Sequence, residues 1–242
     1  RIPWRELLHY RDLLFLLVRR DFVAQYKQSV HGRGLLEGHD TGMPTCATCH
    51  MSATKQQPVT HDVGMRISWN NRPEISVRPE VGDAKLGLPG KDVPWQERRG
   101  NMKNVCMNCH NKQWVENWYV QYDSLVHLYN EKFAKPGLAL YQAAKPLLNP
   151  AQFSNPVDFT WYEIWHHEGR RARHGASMSG PDYTWWHGMY EVAKHTYFKF
   201  IPELKEVAMK KDGNEDFADA MLEKYFRPID GHAWFFDGMN KD

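Results

Sequence analysis

Two short segments of this chain share the pattern Cys-x-x-Cys-His, and together they contain every cysteine in the sequence. They read CATCH at residues 46–50 and CMNCH at residues 106–110. This pattern predicts covalent attachment of a c-type haem, because two thiols add to the porphyrin vinyl groups while the adjoining imidazole reaches the iron. The thioether and proximal-ligand positions are Cys46, Cys49, His50, Cys106, Cys109 and His110.

Two other interpretations of the cysteines compete with covalent haem. A single Cys-x-x-Cys pair also occurs in redox dithiols and as half of a zinc site. Two pairs together would supply the four thiolates of a structural zinc site. That interpretation leaves the histidine after each pair without a purpose, so the sequence favours two covalent haems.

Composition supports a haem protein and argues against a nucleic-acid partner. The net charge of the 242 residues is only +2, whereas 13 histidines and 13% aromatic residues suit iron ligation and packing against porphyrin. Because covalent haem attachment takes place outside the cytoplasm, we expect a periplasmic or otherwise exported chain. The sequence shows no leader and begins at Arg1, so we expect a processed or partial chain.

Three segments differ in character along the chain. Residues 1–28 form an amphipathic segment whose longest apolar run, at residues 13–18, is too short to span a bilayer. Its sequence resembles the cytoplasmic start of polysaccharide-export ABC permeases, which predicts a foreign junction near residues 26–30. Residues 29–111 are rich in glycine, proline and threonine, and they predict loops that wrap the haems, including a surface loop at residues 78–100.

From residue 112 to residue 242 the sequence predicts a C-terminal helical domain, so the fold class is mainly α. Helices are expected at residues 112–134, 136–147, 157–175, 181–211 and 214–226. Prolines punctuate these segments, with a break at Pro136 and a kink at Pro202. Residues 232–242 are expected to form a surface tail.

Each haem iron that only carries electrons needs a second axial ligand from elsewhere in the chain. Of the other histidines, His31, His61, His174 and His187 are the candidates, and three of these four precede a glycine. A glycine lets the backbone approach a flat cofactor closely. The ordinary alternative is a hydrogen-bonded structural histidine. Surface or satisfied core positions are expected for His9, His39, His127, His195 and His232.

Long stretches of the sequence resemble one enzyme family. SVHGRGLLE at residues 29–37, LVHLYNEKFAKPG at 125–137 and WYEIWHHEGRRARHGASMSGPDYTWWHGMYEVAK at 161–194 are similar to the C-terminal part of octahaem hydroxylamine oxidoreductases. Hydrazine dehydrogenases of that family are similar in the same places. The resemblance covers about residues 29–240. In the family, six haem motifs precede this pair, and the chain shows none of them.

The resemblance implies a homotrimeric, exported multihaem enzyme that oxidises hydroxylamine or hydrazine and passes electrons to other c-type cytochromes. It also implies that Tyr183, in GPDYT, is bonded covalently to the catalytic haem of a neighbouring subunit. A tyrosine that merely packs at a helix start is the alternative. The function alternative is a dihaem cytochrome that only carries electrons, and the substrate stays open between hydroxylamine and hydrazine.

The resemblance also implies a pairing of distal ligands. His31 would serve the haem of the second motif and His174 that of the first, with His187 as the substitute for His174. His61 would serve a haem bound by another part of the enzyme. Three arginines nearby either pair with haem propionates or form a solvated basic face, namely Arg170, Arg171 and Arg173.

Overall fold

The computed structural model describes residues 44–67, 95–212 and 215–237. All regular elements in these ranges are α, 3₁₀ or π helices, and none is a strand. This confirms the mainly α prediction. The predictions for residues 1–28 and for His31 lie outside the described residues, and the division at residue 111 stays a prediction. The haem-motif region contains helix α1 (Cys46–His50), a 3₁₀ turn (Val63–Arg66) and helix α2 (Trp95–Cys106).

The first long helical rod begins after the second haem motif. It comprises α3 (Lys112–Tyr129), a π turn (Asn130–Ala134), α4 (Lys135–Ala144) and a final 3₁₀ turn (Lys145–Leu147). The predicted break at Pro136 is therefore wrong, because the rod continues through this residue.

Two further rods and two shorter helices complete the helical domain. The second rod comprises α5 (Pro156–Tyr162), a π turn (Glu163–Glu168) and α6 (Gly169–Ser177). The third comprises α7 (Pro181–Thr184), a π turn (Trp185–Tyr190), α8 (Glu191–His195), a π turn (Thr196–Phe200) and α9 (Ile201–Asp212). Helices α10 (Glu215–Tyr225) and α11 (Ala233–Asp237) follow.

Both internal prolines follow a π turn by the same distance. One π turn ends at Ala134, two residues before Pro136, and another ends at Phe200, two residues before Pro202. A proline inside an α-helix cannot donate to the carbonyl four residues earlier, and its ring crowds that carbonyl. A π turn changes the hydrogen-bond register just where this conflict arises, so the chain stays helical.

The main core lies among the three rods and α10. Its fully buried members include Tyr129, Val157, Phe200 and Phe226. The expected surface tail at residues 232–242 is wrong at its start, because His232 is completely buried against this core and α11 follows it. His232 stacks on Phe226 with ring centroids 3.9 Å apart.

A smaller core joins α2 and α3 and carries the second haem motif. Arg99 forms a two-pronged ion pair with Asp123, with nitrogen–oxygen distances of 2.7 and 2.8 Å, and lies over the ring of Tyr119. The expected surface loop is therefore wrong at residues 95–100, which are helical and include buried Arg98 and Arg99. Arg99 is buried because it pairs with Asp123 of the neighbouring helix α3, and a pattern of apolar spacing does not reveal that.

Candidate functional site

The first Cys-x-x-Cys-His motif is one short helix. Thr45 caps it by accepting a hydrogen bond from the backbone N–H of Thr48. Residues three and four positions apart share one face of a helix. Cys46, Cys49 and His50 therefore lie on the same side, which is the arrangement that one haem edge and its iron require.

The second motif forms a similar turn between two helices. Cys106 is the last residue of α2, and its carbonyl accepts hydrogen bonds from the backbone N–H groups of Cys109 and His110, at 3.1 and 2.9 Å. The Asn111 side chain then caps α3 by accepting from the N–H of Trp114. The imidazole of His110 stacks on the Trp114 ring, with centroids 3.8 Å apart.

The two motifs lie next to each other. Burial raises the pKa of the Cys49 thiol, and the thiols of Cys46 and Cys109 raise it further. Burial also raises the pKa of Cys106 to about 11, with Cys49 as the next cause. The helix of the first motif, α1, also contacts α2, which ends in Cys106 of the second motif, so the two haem-attachment turns are neighbours.

The geometry of the thiols fits two haem turns better than one zinc site. In the described part of the chain, which includes all four cysteines, no three or four thiols converge as metal ligands. Each motif instead presents two thiols and one imidazole on a single helical turn. The residues present therefore fit covalent haem c, which supplies one-electron redox chemistry when bound.

Arg66 is a site residue that the sequence analysis did not identify. It ends the 3₁₀ turn, is 1% exposed, and donates from Nη1 to the carbonyl of Cys49 at 3.0 Å and from Nη2 to the carbonyl of Ser52. Burial lowers the pKa of His50, and the Arg66 guanidinium lowers it further. Both causes favour the neutral imidazole, which is the form that binds iron.

The candidate distal ligands lie in different surroundings. His61 and His174 are exposed, the first beyond α1 and the second on α6. His187 is also exposed and lies between two carboxylates, 3.6 Å from Asp182 and 3.5 Å from Glu191. The pairing of these histidines with individual haems stays a prediction.

Tyr183 lies on α7, where this helix packs closely against α6. A side chain at Gly175 would come within 2.7 Å of the backbone nitrogen of Thr184. A side chain at Gly188 would come within 2.6 Å of the backbone of Ala172 and Tyr183. Within the described residues, these glycines permit close contact between helices. The close approach to a flat cofactor that the sequence suggests for them stays a prediction.

The half-buried ring of Tyr183 lies near the imidazole of His187, with centroids 5.6 Å apart. Beside it, the π turn exposes more than half of Trp185, Trp186 and Tyr190. This aromatic face has the character of a contact surface.

The three arginines of the same stretch do not form one basic face. Arg170 is exposed, and Arg171 pairs with Glu191 at 3.2 Å. Arg173 is buried over the ring of Tyr129, and its Nε and Nη1 have no hydrogen-bond partner among the described residues. A solvated face is therefore wrong for Arg173.

One cluster brings together three groups of the kind that bind metal ions. Glu163, Glu168 and His195 each offer a ligand atom, and these atoms lie within 4.8 Å of one another. Glu168, however, is hydrogen-bonded to His195, and Glu163 pairs with Lys199 at 3.1 Å. Because these charges are already balanced by ion pairs, the cluster is explained without a metal.

None of the described helices combines the length and the apolar character needed to cross a membrane.

Comparisons with known proteins agree with the geometry of the two motifs. A family model described as "Seven times multi-haem cytochrome CxxCH" matches residues 21–147. No curated protein matches the chain.

Two solved structures share the fold. One is a Kuenenia stuttgartiensis reducing HAO-like protein complex, with 14% sequence identity and a TM-score of 0.57. The matched region covers 78% of this chain and 54% of that chain. The other is described as a hypothetical multiheme protein, with 21% sequence identity and a TM-score of 0.54. Here the matched region covers 77% of this chain and 52% of that chain. The chain thus spans about half the length of either structure.

Proposed function

Because the chain belongs to the multihaem CxxCH cytochrome family, we propose that it carries two covalent haems as electron relays in a larger hydroxylamine- or hydrazine-oxidising enzyme. The observation that carries this proposal is the proximity of the two haem-attachment turns. Helix α1, which is the first motif, contacts helix α2, which ends in Cys106 of the second motif. Haems attached to neighbouring turns are suited to passing electrons between them.

The protein holds the second haem turn between two firmly joined helices. The ion pairs Arg99–Asp123 and Lys103–Glu116 both join α2, which precedes the turn, to α3, which follows it. Cys106 packs on a small aromatic cluster that includes buried Tyr119 and Tyr122. A rigid, largely apolar support limits the rearrangement of the haem surroundings when the iron gains or loses an electron. Burial is also one of the factors that set the reduction potential of a haem.

In this proposal, Tyr183 bonds to the catalytic haem of a neighbouring subunit in a homotrimer. The support is the match of GPDYTWWHG to the family's crosslinking segment and the exposed aromatic face beside Tyr183. A pure electron carrier has no use for a bond between a phenol and a porphyrin. Tyr183 is therefore the residue that separates the oxidising enzyme from the dihaem carrier.

The remaining parts of the proposal follow from the same resemblance. The substrate is a small nitrogen compound, the electron acceptors are other c-type cytochromes, and the compartment is the periplasm or another exported location. One structure with this fold is described as a reducing complex, at 14% identity. The oxidative direction therefore rests on Tyr183 in this proposal.

Replacing Tyr183 by phenylalanine in the complete haem-loaded protein tests this role. Tyr183→Phe keeps the ring but removes the phenolic oxygen, so the subunits should separate on a denaturing gel and oxidation of hydroxylamine or hydrazine should fall sharply. Tyr162→Phe, at an exposed tyrosine on α5, is the matched control and should leave both properties unchanged. A Tyr183→Phe protein that still migrates as a covalent trimer with full activity would rule out the crosslink.

A further inference from the structure

The guanidinium of Arg66 reaches back along the chain to the end of the first haem turn. It donates to the carbonyls of Cys49 and Ser52, which lie 17 and 14 residues earlier in the sequence. The last carbonyls of a helix have no partner within the helix, so a donor from elsewhere can fix them in place. Arg66 therefore holds the end of the turn that carries the haem-binding groups.

A second contact anchors the turn that carries Arg66. The side-chain amide of Asn101, on α2, donates to the carbonyl of Met65 at 2.9 Å. Helix α2 ends in Cys106 of the second motif. The 3₁₀ turn that ends in Arg66 thus contacts both haem-attachment regions: Arg66 binds the end of the first motif, and Met65 is bound by α2.

The charge of Arg66 is buried without a counter-charge in the described part of the chain. The side chain is 1% exposed, its two terminal nitrogens bind neutral carbonyls, and its buried Nε has no partner there. A charge that is removed from water interacts strongly with other charges nearby. Any group that becomes more positive close to Arg66 is therefore destabilised by it.

We propose that Arg66 is a positioning residue of the His50 haem, which holds the Cys46–His50 turn in its attachment geometry and raises the reduction potential of that haem. Oxidation adds a positive charge at the iron, which the buried guanidinium opposes. Hydrogen bonds and charges around the axial ligand are the usual means by which a protein tunes its metal. The proposal rests on the proposed function only in requiring a covalent haem on this turn.

Two replacements separate the charge of Arg66 from its hydrogen bonds. Arg66→Gln retains a donor but removes the charge, whereas Arg66→Lys retains the charge but loses the planar, two-pronged donor. In redox titrations of the haem-loaded protein, Arg66→Gln should lower the potential of one haem. We expect about a tenfold decrease in its reduction equilibrium constant, equivalent to about 59 mV for one electron. Arg66→Lys should stay near the unmodified value.

Arg227→Gln is the matched control. Arg227 pairs with Glu223 and Asp237 near the end of the described chain, and its replacement should leave every haem potential unchanged. Mass spectrometry of each denatured protein should accompany the titrations. Loss of haem only from the Cys46–Cys49 pair in the Arg66 variants supports the positioning role.

Unchanged potentials and full haem content in Arg66→Gln would overturn the proposal. An equal fall in potential for Arg66→Lys and Arg66→Gln would overturn the assignment to charge. If the unmodified protein carried no covalent haem at all, the proposed function itself would fail. These results are distinguishable, because haem content is measured separately from potential.

Discussion

The imidazole of His232 donates from Nε2 to the main-chain carbonyl of Lys132, at 2.7 Å and across 100 residues of sequence. Pro136 removes the α-helical donor to this carbonyl. It stands four residues after Lys132, where an ordinary residue would donate to that carbonyl, and proline has no N–H. The missing α-helical bond is thus replaced by a tertiary one that ties the π turn before α4 to the end of the helical domain.

Replacing His232 by alanine should destabilise the fold by about 3 kcal/mol, because it opens a cavity and leaves two buried groups without partners. Those groups are the Lys132 carbonyl and the Tyr197 hydroxyl, which donates to Nδ1 of His232 at 2.5 Å. Tyr197→Phe removes a single hydrogen bond and should cost only about 1 kcal/mol. Denaturant unfolding measures both changes, and equal losses would contradict this account.

Acid should weaken the same contact. Burial is the main cause that lowers the pKa of His232 in the folded protein, so the unfolded chain takes up its proton at a higher pH. The stability from neutral His232 is complete above its ordinary pKa of about 6.5 and is lost as the pH falls below it.

The comparison with His232→Gln isolates this effect, because glutamine does not titrate. Between pH 7.5 and pH 5, roughly the range that brackets the ordinary pKa, the unmodified protein should lose more free energy of unfolding than the variant. Equal losses in the two proteins would show that His232 does not sense pH.

Gly175→Ala should destabilise the fold by about 1–3 kcal/mol, because the added methyl group would meet the backbone of Thr184. Gly100→Ala on α2 is the matched control, since a side chain there meets nothing within 4 Å. This replacement should be neutral or stabilising by about 0.5–1 kcal/mol, because alanine favours helix. Thermal unfolding of both variants checks the prediction, and a neutral Gly175→Ala would contradict it.

The helical domain was largely predictable, because its apolar spacing follows the period of a helix. The predicted segments 157–175 and 181–211 agree closely with the rods at residues 156–177 and 181–212. The effects of proline were not predictable, because whether Pro136 ends a helix depends on a π turn and on a distant histidine. The burial of His232 was not predictable for a similar reason, because its partners lie far away in sequence.

The attachment residues of the site were predictable, but their supports were not. The Cys-x-x-Cys-His pattern identifies the thiols and the adjoining imidazoles from sequence alone. Arg66 was missed, because a single arginine in a glycine-containing segment has no local signature, and its role depends on contacts with residues 14 and 17 positions earlier. The glycines after His174 and His187 were explained only by the packing of α6 against α7.

The mass of the denatured chain tests the central claim most directly. If both motifs attach haem, the haem-loaded chain should retain the mass of two haems after acid–acetone extraction. Replacing Cys46 and Cys49 by alanine should reduce this to one haem, and so should replacing Cys106 and Cys109. A chain that loses all its haem on extraction, or whose mass is that of the bare polypeptide, would contradict the account.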